Sequence, residues 1–307
     1  MGKITVIGSL NMDLVVRTKR APLAGETLAG SDLQFIPGGK GANQAVAASR
    51  AGAETHMLGC VGTDAFGPAL IDSLQRAGVG VGGVQTAGGT ATGTAVIVLE
   101  EGGENRIIII PGTNALVSPG FAERQWDAVA RSDLVILQHE IPLESVHWLA
   151  GKAHRAGIRV VLNPAPIYPV PAEVLAAVDV LVANETEAST LSGLAVTGRE
   201  SAFEAAGLLN SRGVKTVIIT LGGAGAVLAG GGQRLFQPAF PVEVVDTTAA
   251  GDTFVGGYAA QILEGKTPAE ALLYAAAAAG LAVSRLGAQP SIPTRQEVEA
   301  FIRANAE

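Results

Sequence analysis

Short, uninterrupted runs of valine, isoleucine and leucine recur along the chain, separated by longer stretches in which apolar residues return every three or four positions. Runs of the first kind mark strands buried on both faces, the habit of parallel sheets, and the second spacing marks helices that cover them. Strands are expected at 4–7, 56–60, 134–137, 159–162, 180–182 and 216–220. Helices are expected at 41–51, 67–77, 143–156, 201–212, 251–263, 268–284 and 294–304. The alternation predicts an α/β fold with a mostly parallel central sheet flanked by helices, in one domain spanning 1–307. Two segments break the rhythm. Residues 14–36 and 94–110 read as strand–turn–strand pairs, the second turning through Glu-Glu-Gly-Gly-Glu at 100–104. These are expected to pair into a small separate sheet, a lid over the open end of the main sheet. Such a sheet with an apolar face finds a partner, so a homodimer formed through the lids is expected.

Composition narrows the function. Hydrophobic residues make up 48% and charged residues 16% of 307, enough for a sizeable core and too apolar for disorder. A net charge of −7 leaves no cationic footprint, which argues against a nucleic-acid or membrane-surface partner. Any anionic ligand must then be held by a local site. The first residues run straight into an apolar strand, and no apolar stretch has membrane-spanning character, so a soluble, cytoplasmic protein is expected. The single cysteine, Cys60, excludes an intramolecular disulfide and reads as a buried structural thiol.

The chemistry gathers in a few short blocks. Asp246-Thr-Thr-Ala-Ala-Gly-Asp252 precedes a helical stretch, where unpaired backbone N–H groups and the helix dipole favour an anion. A carboxylate repels phosphate, so Asp252 reads either as a helix cap or as a base, with the amides of Ala250 and Gly251 holding developing negative charge. Asn11 and Asp13, read as the end of the first strand, offer donor and acceptor to a hydroxyl group, or else close an Asx-turn. Gly38-Gly-Lys-Gly-Ala-Asn43 opens a helix with a glycine cluster, a lysine and an amide. Glu140, Asn163 and Asn184 follow three further strands, so polar groups converge on one sheet edge, where open α/β sheets bind ligands. Glu187 with Asn184 suits water on a magnesium ion. Thr220-Leu-Gly-Gly-Ala-Gly225 suits a turn close to a phosphate or ribose, though hairpins contain as much glycine. His139 reads as a hydrogen-bonded bystander. There is no P-loop, and Gly-Val-Gly-Val-Gly-Gly at 78–83 reads as a turn-rich linker because it follows a helix and opens none. The Asn184-Glu-Thr sequon reads as accidental.

Taken in order, these blocks resemble the ribokinase family of carbohydrate kinases, the phosphofructokinase-B type, over essentially the whole length. Gly-Ser-Leu-Asn-Met-Asp at 8–13, Gly-Gly-Lys-Gly-Ala-Asn-Gln-Ala at 38–45 and Asp-Thr-Thr-Ala-Ala-Gly-Asp at 246–252 carry the resemblance. Gly-Thr-Asp-Ala-Phe-Gly at 62–67, Asn-Pro-Ala-Pro at 163–166, Asn-Glu-Thr-Glu at 184–187 and Gly-Ala-Gln-Pro-Ser at 287–291 add to it. The resemblance implies ATP-dependent phosphorylation of D-ribose at its primary hydroxyl. Another sugar of the family, such as fructose or 2-keto-3-deoxygluconate, and a catalytically silent sugar-binding regulator are the alternatives. It implies sugar contacts from Asn11, Asp13, Gly39, Lys40, Gly41, Asn43 and Glu140, with Asp252 as base and Ala249, Ala250 and Gly251 as anion hole. It implies ATP contacts from Asn184, Thr220, Leu221, Gly222, Gly223, Ala224, Gly225, Gly251 and Asp252, and magnesium ordered through water by Glu187. It implies potassium held by Asp246, Thr248, Ala282, Arg285, Gly287 and Ser291. Ala249 stands where the commonest family block has glycine, a change expected to tighten the backbone only slightly. The place near the adenine, around Ala276, lies in an alanine-rich run.

Overall fold

The computed structural model describes residues 2–102 and 105–305, so residues 103 and 104 of the expected lid turn lie outside the described residues. Its strands are β1 Lys3–Ile7, β2 Asn11–Thr18, β3 Asp32–Gly38, β4 Glu54–Gly62, β5 Gly80–Ala87, β6 Gly93–Glu100, β7 Asn105–Ile110, β8 Leu134–Gln138, β9 Arg159–Asn163, β10 Val180–Asn184, β11 Thr216–Thr220, β12 Ala226–Gly230 and β13 Gln233–Gln237. Its helices are α1 Lys40–Arg50, α2 Phe66–Arg76, α3 Pro119–Arg124, α4 Trp126–Val129, α5 Leu143–Arg155, α6 Ala172–Leu175, α7 Glu185–Ser192, α8 Arg199–Ser211, α9 Ala250–Leu263, α10 Pro268–Val283 and α11 Arg295–Ala304.

The main sheet has the order β13-β12-β11-β10-β9-β8-β1-β4-β5. From β5 to β11 neighbours are parallel, and the β12–β13 hairpin closes one edge antiparallel. Alternation along the strands feeds two cores. Leu134 and Ile136 of β8 pack on the face covered by α1, α9 and α10, whereas Val135 and Leu137 pack on the face covered by α5 and α8. Both faces being apolar, β8 is buried throughout, which is why it reads as an unbroken apolar run. The chain leaves β1 for β4 on one side and enters β8 on the other. Their carboxyl ends flank the reversal of strand order where a ligand crevice forms.

The expected lid is the second sheet, β3-β2-β6-β7, in which β2 pairs parallel with β6 and joins the two hairpins. Asn11 and Asp13 are therefore not the end of β1. They open β2 and belong to the lid, where two-residue alternation places both on one face.

One other expectation needs correction. Residues 80–83 of the stretch expected to be linker, 78–83, open β5, an edge strand parallel to β4. Its glycines hid it, and they are present because a Cβ at Gly80 would meet the His56 ring at 2.5 Å and one at Gly83 would meet Leu58 at 2.7 Å. The glycine block after β11 does turn a hairpin, into β12. Cys60 is buried, and burial raises its thiol pKa, as a structural thiol requires. Among the described residues no helix is long and apolar enough to cross a membrane.

Candidate active site

The site is built where α1 and α9 start. Gly39, with φ 89°, precedes α1 in the left-handed region, and a Cβ there would meet the backbone N of Asn11 at 2.7 Å. Glycine at 39 thus lets α1 begin against the 9–11 segment. Ser9 then ties the junction. Its hydroxyl donates to Glu140 Oε2 at 2.6 Å and accepts from Gly41 N at 3.2 Å, while Lys40 N donates to the same Glu140 oxygen at 3.1 Å. On the lid side Asn114, in the 3-10 turn Gly112–Leu116, holds Leu10 through its backbone N and O. It also donates from Nδ2 to Asn11 Oδ1 at 2.7 Å. Asn11 is left with its own Nδ2 as a donor.

Asp252 is not a cap. α9 begins at Ala250, no side chain caps it, and Asp252 lies inside its first turn and is buried. Its carboxylate accepts from Asn43 Nδ2 at 3.0 Å on Oδ2 and from Gln44 Nε2 at 2.9 Å on Oδ1. Close helix packing permits this. A Cβ at Gly256, one turn along from Asp252, would meet Gln44 O at 2.5 Å and Ala47 Cβ at 2.6 Å, so glycine at 256 lets short side chains of α1 reach α9.

At the tip of α9 Ala250 N–H donates to Thr247 O at 3.3 Å and Thr253 N–H to Ala249 O at 2.8 Å. Between them the amides of Gly251 and Asp252 have no protein acceptor among the described residues and are free to meet an anion, whereas the Ala250 amide is already engaged. Ala249 does more than tighten the backbone. It has φ 60° and ψ 9° and is the only non-glycine residue at positive φ among the described residues. An L-residue there stores roughly 1–2 kcal/mol of strain, which the surrounding turn must offset.

Charge in the pocket is mixed. Burial first, then Glu140 and Asp252, push the Asp13 carboxyl up to about 7. Burial alone would lower the Lys40 ammonium, but Asp252, Glu140 and Glu187 outweigh it and raise its pKa. Burial raises Glu187, against the opposing hydrogen bond from Asn184 and the charge of Lys40. Asn184 and Glu187 form a capping box at the start of α7: Asn184 N donates to Glu187 Oε2 at 2.9 Å and Glu187 N to Asn184 Oδ1 at 2.8 Å. His139 is held at Nδ1 by Pro166 O at 3.2 Å, and burial lowers it to about 4, so it is neutral near pH 7.

Beside the tip of α9 lies a cleft of about 420 Å³, lined by Thr220, Gly222, Gly223 and Gly225 on one wall and by Phe240, Ala276, Ala279 and Gly280 on another, with Ala250 and Gly251 at one end. Leu221, Ala224 and Asn184 do not line it, Leu221 being buried beneath the turn. The residues expected around potassium fall on the 246–248 loop and, facing it, on the last turn of α10 and the segment that follows. Asp246 accepts from Thr248 N and Oγ1 on Oδ1, at 2.9 and 2.6 Å, and from Gly287 N on Oδ2 at 2.9 Å. Ala282 O accepts from Arg285 N at 3.1 Å, the Arg285 guanidinium pairs outward with Glu297, and the Ser291 hydroxyl bonds Ala288 O within its own turn. Among the described residues no three histidine, cysteine or acidic residues cluster as metal ligands.

Sequence reading missed Ser9, Gln44, Asn114 and Gln138. Gln44 and Ser9 stand inside quoted blocks, and their signal was a polar residue amid small apolar ones. Nothing local marks Asn114.

Comparison with known proteins gives one consistent result. The pfkB family carbohydrate kinase profile matches residues 1–295. The chain is 40% identical over 299 residues to the ribokinase of Haemophilus influenzae, covering 97% of this chain and 98% of that protein. It is 41% identical over 302 residues to the ribokinase of Bacillus subtilis, covering 98% and 100%. The solved structure of Arabidopsis thaliana ribokinase complexed with ribose and ATP superposes with a TM-score of 0.92 at 36% identity, covering 98% of this chain and 99% of that one.

Proposed function

This chain belongs to the pfkB family of carbohydrate kinases, and we propose that within it the chain transfers the γ-phosphoryl group of ATP to the 5-hydroxyl of D-ribose, giving D-ribose 5-phosphate and ADP. One observation carries the reading. Asp252 is a buried carboxylate with no capping task, held by two amides beside unbonded helix N–H groups and a cleft. Phosphoryl transfer asks for in-line positioning and charge neutralisation more than covalent chemistry, so one base and one anion hole meet its needs.

Asn11 donates to a sugar hydroxyl and Asp13 accepts from one, with Lys40, Asn43 and Glu140 and the backbone of Gly39 and Gly41 completing the sugar site. Asp252 takes the proton from the 5-hydroxyl as the hydroxyl oxygen bonds to the γ-phosphorus and the bond from that phosphorus to the bridging oxygen of ADP breaks. The amides of Gly251 and Asp252, presented by the turn through Ala249 and Ala250, stabilise charge on the transferred group. Thr220, Gly222, Gly223 and Gly225 flank the nucleotide, Leu221 and Ala224 shape that turn, and Asn184 acts by holding Glu187. The alanine wall around Ala276 receives the base by apolar contact.

The donors suit the two ions of the resemblance. Glu187 uses Oε2 in its capping box and offers Oε1 to a water of magnesium, an ion that keeps much of its hydration. Bound with ATP, magnesium neutralises phosphate charge. The loops bridged by Asp246 supply oxygens to potassium, from the carbonyls of Ala282, Arg285 and Gly287 together with Thr248 and Ser291. Dependence on ATP supports a cytoplasmic setting. Exposed Leu33, Phe35, Ile107, Ile108, Ile109 and Ile110 on the lid support a homodimer in which a second copy covers them.

ADP release measured across pentoses, hexoses and nucleosides, with and without potassium, tests the assignment. Ribose with potassium should turn over fastest, and no turnover with any sugar would leave a silent binder. Asp252→Asn should lower kcat by about 10² to 10⁴. A variant within about threefold of the parent would remove Asp252 from the base role.

A further inference from the structure

We propose that Gln44 is the positioning residue of the base, locking the Asp252 carboxylate in the rotation that presents Oδ2 to the sugar hydroxyl. The inference rests on Asp252 being that base. Gln44 is fully buried on α1 and both hydrogens of its amide nitrogen have acceptors, Asp252 Oδ1 at 2.9 Å and Asn163 Oδ1 at 3.1 Å. Its Oε1 accepts from Gln138 Nε2 at 2.7 Å.

The orientation of this amide is forced from the sheet. Val182 O is an acceptor only, so Asn163 turns Nδ2 toward it, at 3.0 Å, and must present Oδ1 to Gln44. Gln44 must then present Nε2 to Asn163, and the same nitrogen reaches Asp252. A flipped Gln44 would set its oxygen against two other oxygens and its nitrogen against the Gln138 donor. The base is thereby anchored through Asn163 and Gln138 to the carboxyl ends of β9 and β8 and to the backbone of β10. Asn43, which bonds the other oxygen, is buried too, but its Oδ1 has no partner among the described residues and it belongs to the sugar site. Oδ1 of Asp252 is thus tied inward to Gln44, and Oδ2, which accepts from Asn43, is the oxygen that faces the sugar site.

Two variants separate positioning from mere support. Gln44→Met keeps the length and removes every hydrogen bond. It should lower kcat by about 10- to 100-fold, while ribose binding by calorimetry changes by less than about threefold. Gln44→Glu places a second carboxyl against Asp252, in a pocket also faced by Asp13, Lys40, Glu140 and Glu187. While it carries a proton it can donate to Oδ1, giving up the amide's second bond to Asn163 Oδ1; once ionised it opposes Asp252 and the bond is lost. Its kcat should come nearest the parent at the acid end and fall on the alkaline side, displacing the profile by about one pH unit or more. A group that only supports the fold would shift the melting temperature and leave that profile in place, so the Glu variant decides the matter even if the Met variant folds poorly. Asp252→Asn is measured alongside. If it collapses while Gln44→Glu titrates like the parent, or Gln44→Met keeps its kcat, the positioning role is overturned. If Asp252→Asn itself retains activity, the base assignment falls instead.

Discussion

Asp13 shows how one residue couples recognition to pH. Its carboxyl, ordinarily near 3.8, is raised to about 7 by burial and by the charges of Glu140 and Asp252. The folded state therefore binds this proton more tightly than the unfolded chain does. The stability that follows is fully present below pH 3.8 and is lost as pH rises through about 7. Asp13→Asn should accordingly melt above the parent at pH 8, with the gap closing toward pH 4, as pH-dependent thermal unfolding would reveal. Sugar recognition runs the other way, because the ionised carboxylate is the better acceptor: KM for ribose should rise as pH falls below about 7. A flat KM across that range would dissociate Asp13 from the hydroxyl it is assigned. At this scale sequence legibility was uneven. Asp252, Asn43 and Lys40 stand in blocks whose residue types announce chemistry, whereas Gln44 and Asn114 are ordinary amides whose meaning depends on partners 208 and 104 positions away.

Among elements, the crossing of α1 over α9 decides whether the base can be held at all. Gly256→Ala would drive a methyl into Gln44 O and Ala47, prising the helices apart at the turn that follows Asp252. The variant should lose about 1–3 kcal/mol of stability by urea unfolding, with a fall in kcat larger than any change in ATP affinity. Unchanged stability would mean that the helices separate without strain. The regular elements were easy to read because periodicity and burial agree: β8 is apolar from Leu134 to Leu137 and buried on both faces, and α5 carries its apolar positions on one side. β5 was missed because glycines chosen for proximity to β4 resemble those of a turn. Asn184 and Glu187 were legible as polar residues at a strand end, yet their capping box, a local structural duty, appears only once α7 is seen.

For the whole molecule, the lid is where expectation and exposure meet. Its hairpins were legible as breaks in the α/β rhythm, and their union through β2 and β6 leaves several isoleucines in solvent. Size-exclusion chromatography with light scattering should give a dimer, and Ile108→Asp with Phe35→Asp should give a monomer with its secondary structure intact. A strict monomer from the unaltered chain would end the lid-pairing proposal. The hydrogen bond between Asn43 and Asp252 joins residues 209 positions apart. At ribosomal speeds of about 5–20 residues per second, roughly 10 to 40 s pass between the emergence of the two. Throughout that interval the small, apolar side of α1 that will receive α9, Ala47 and Ala48 among it, has no cover. The newborn chain thus carries this face of α1 from early in its synthesis and covers it only once α9 has emerged, leaving it open to wrong contacts for most of that time.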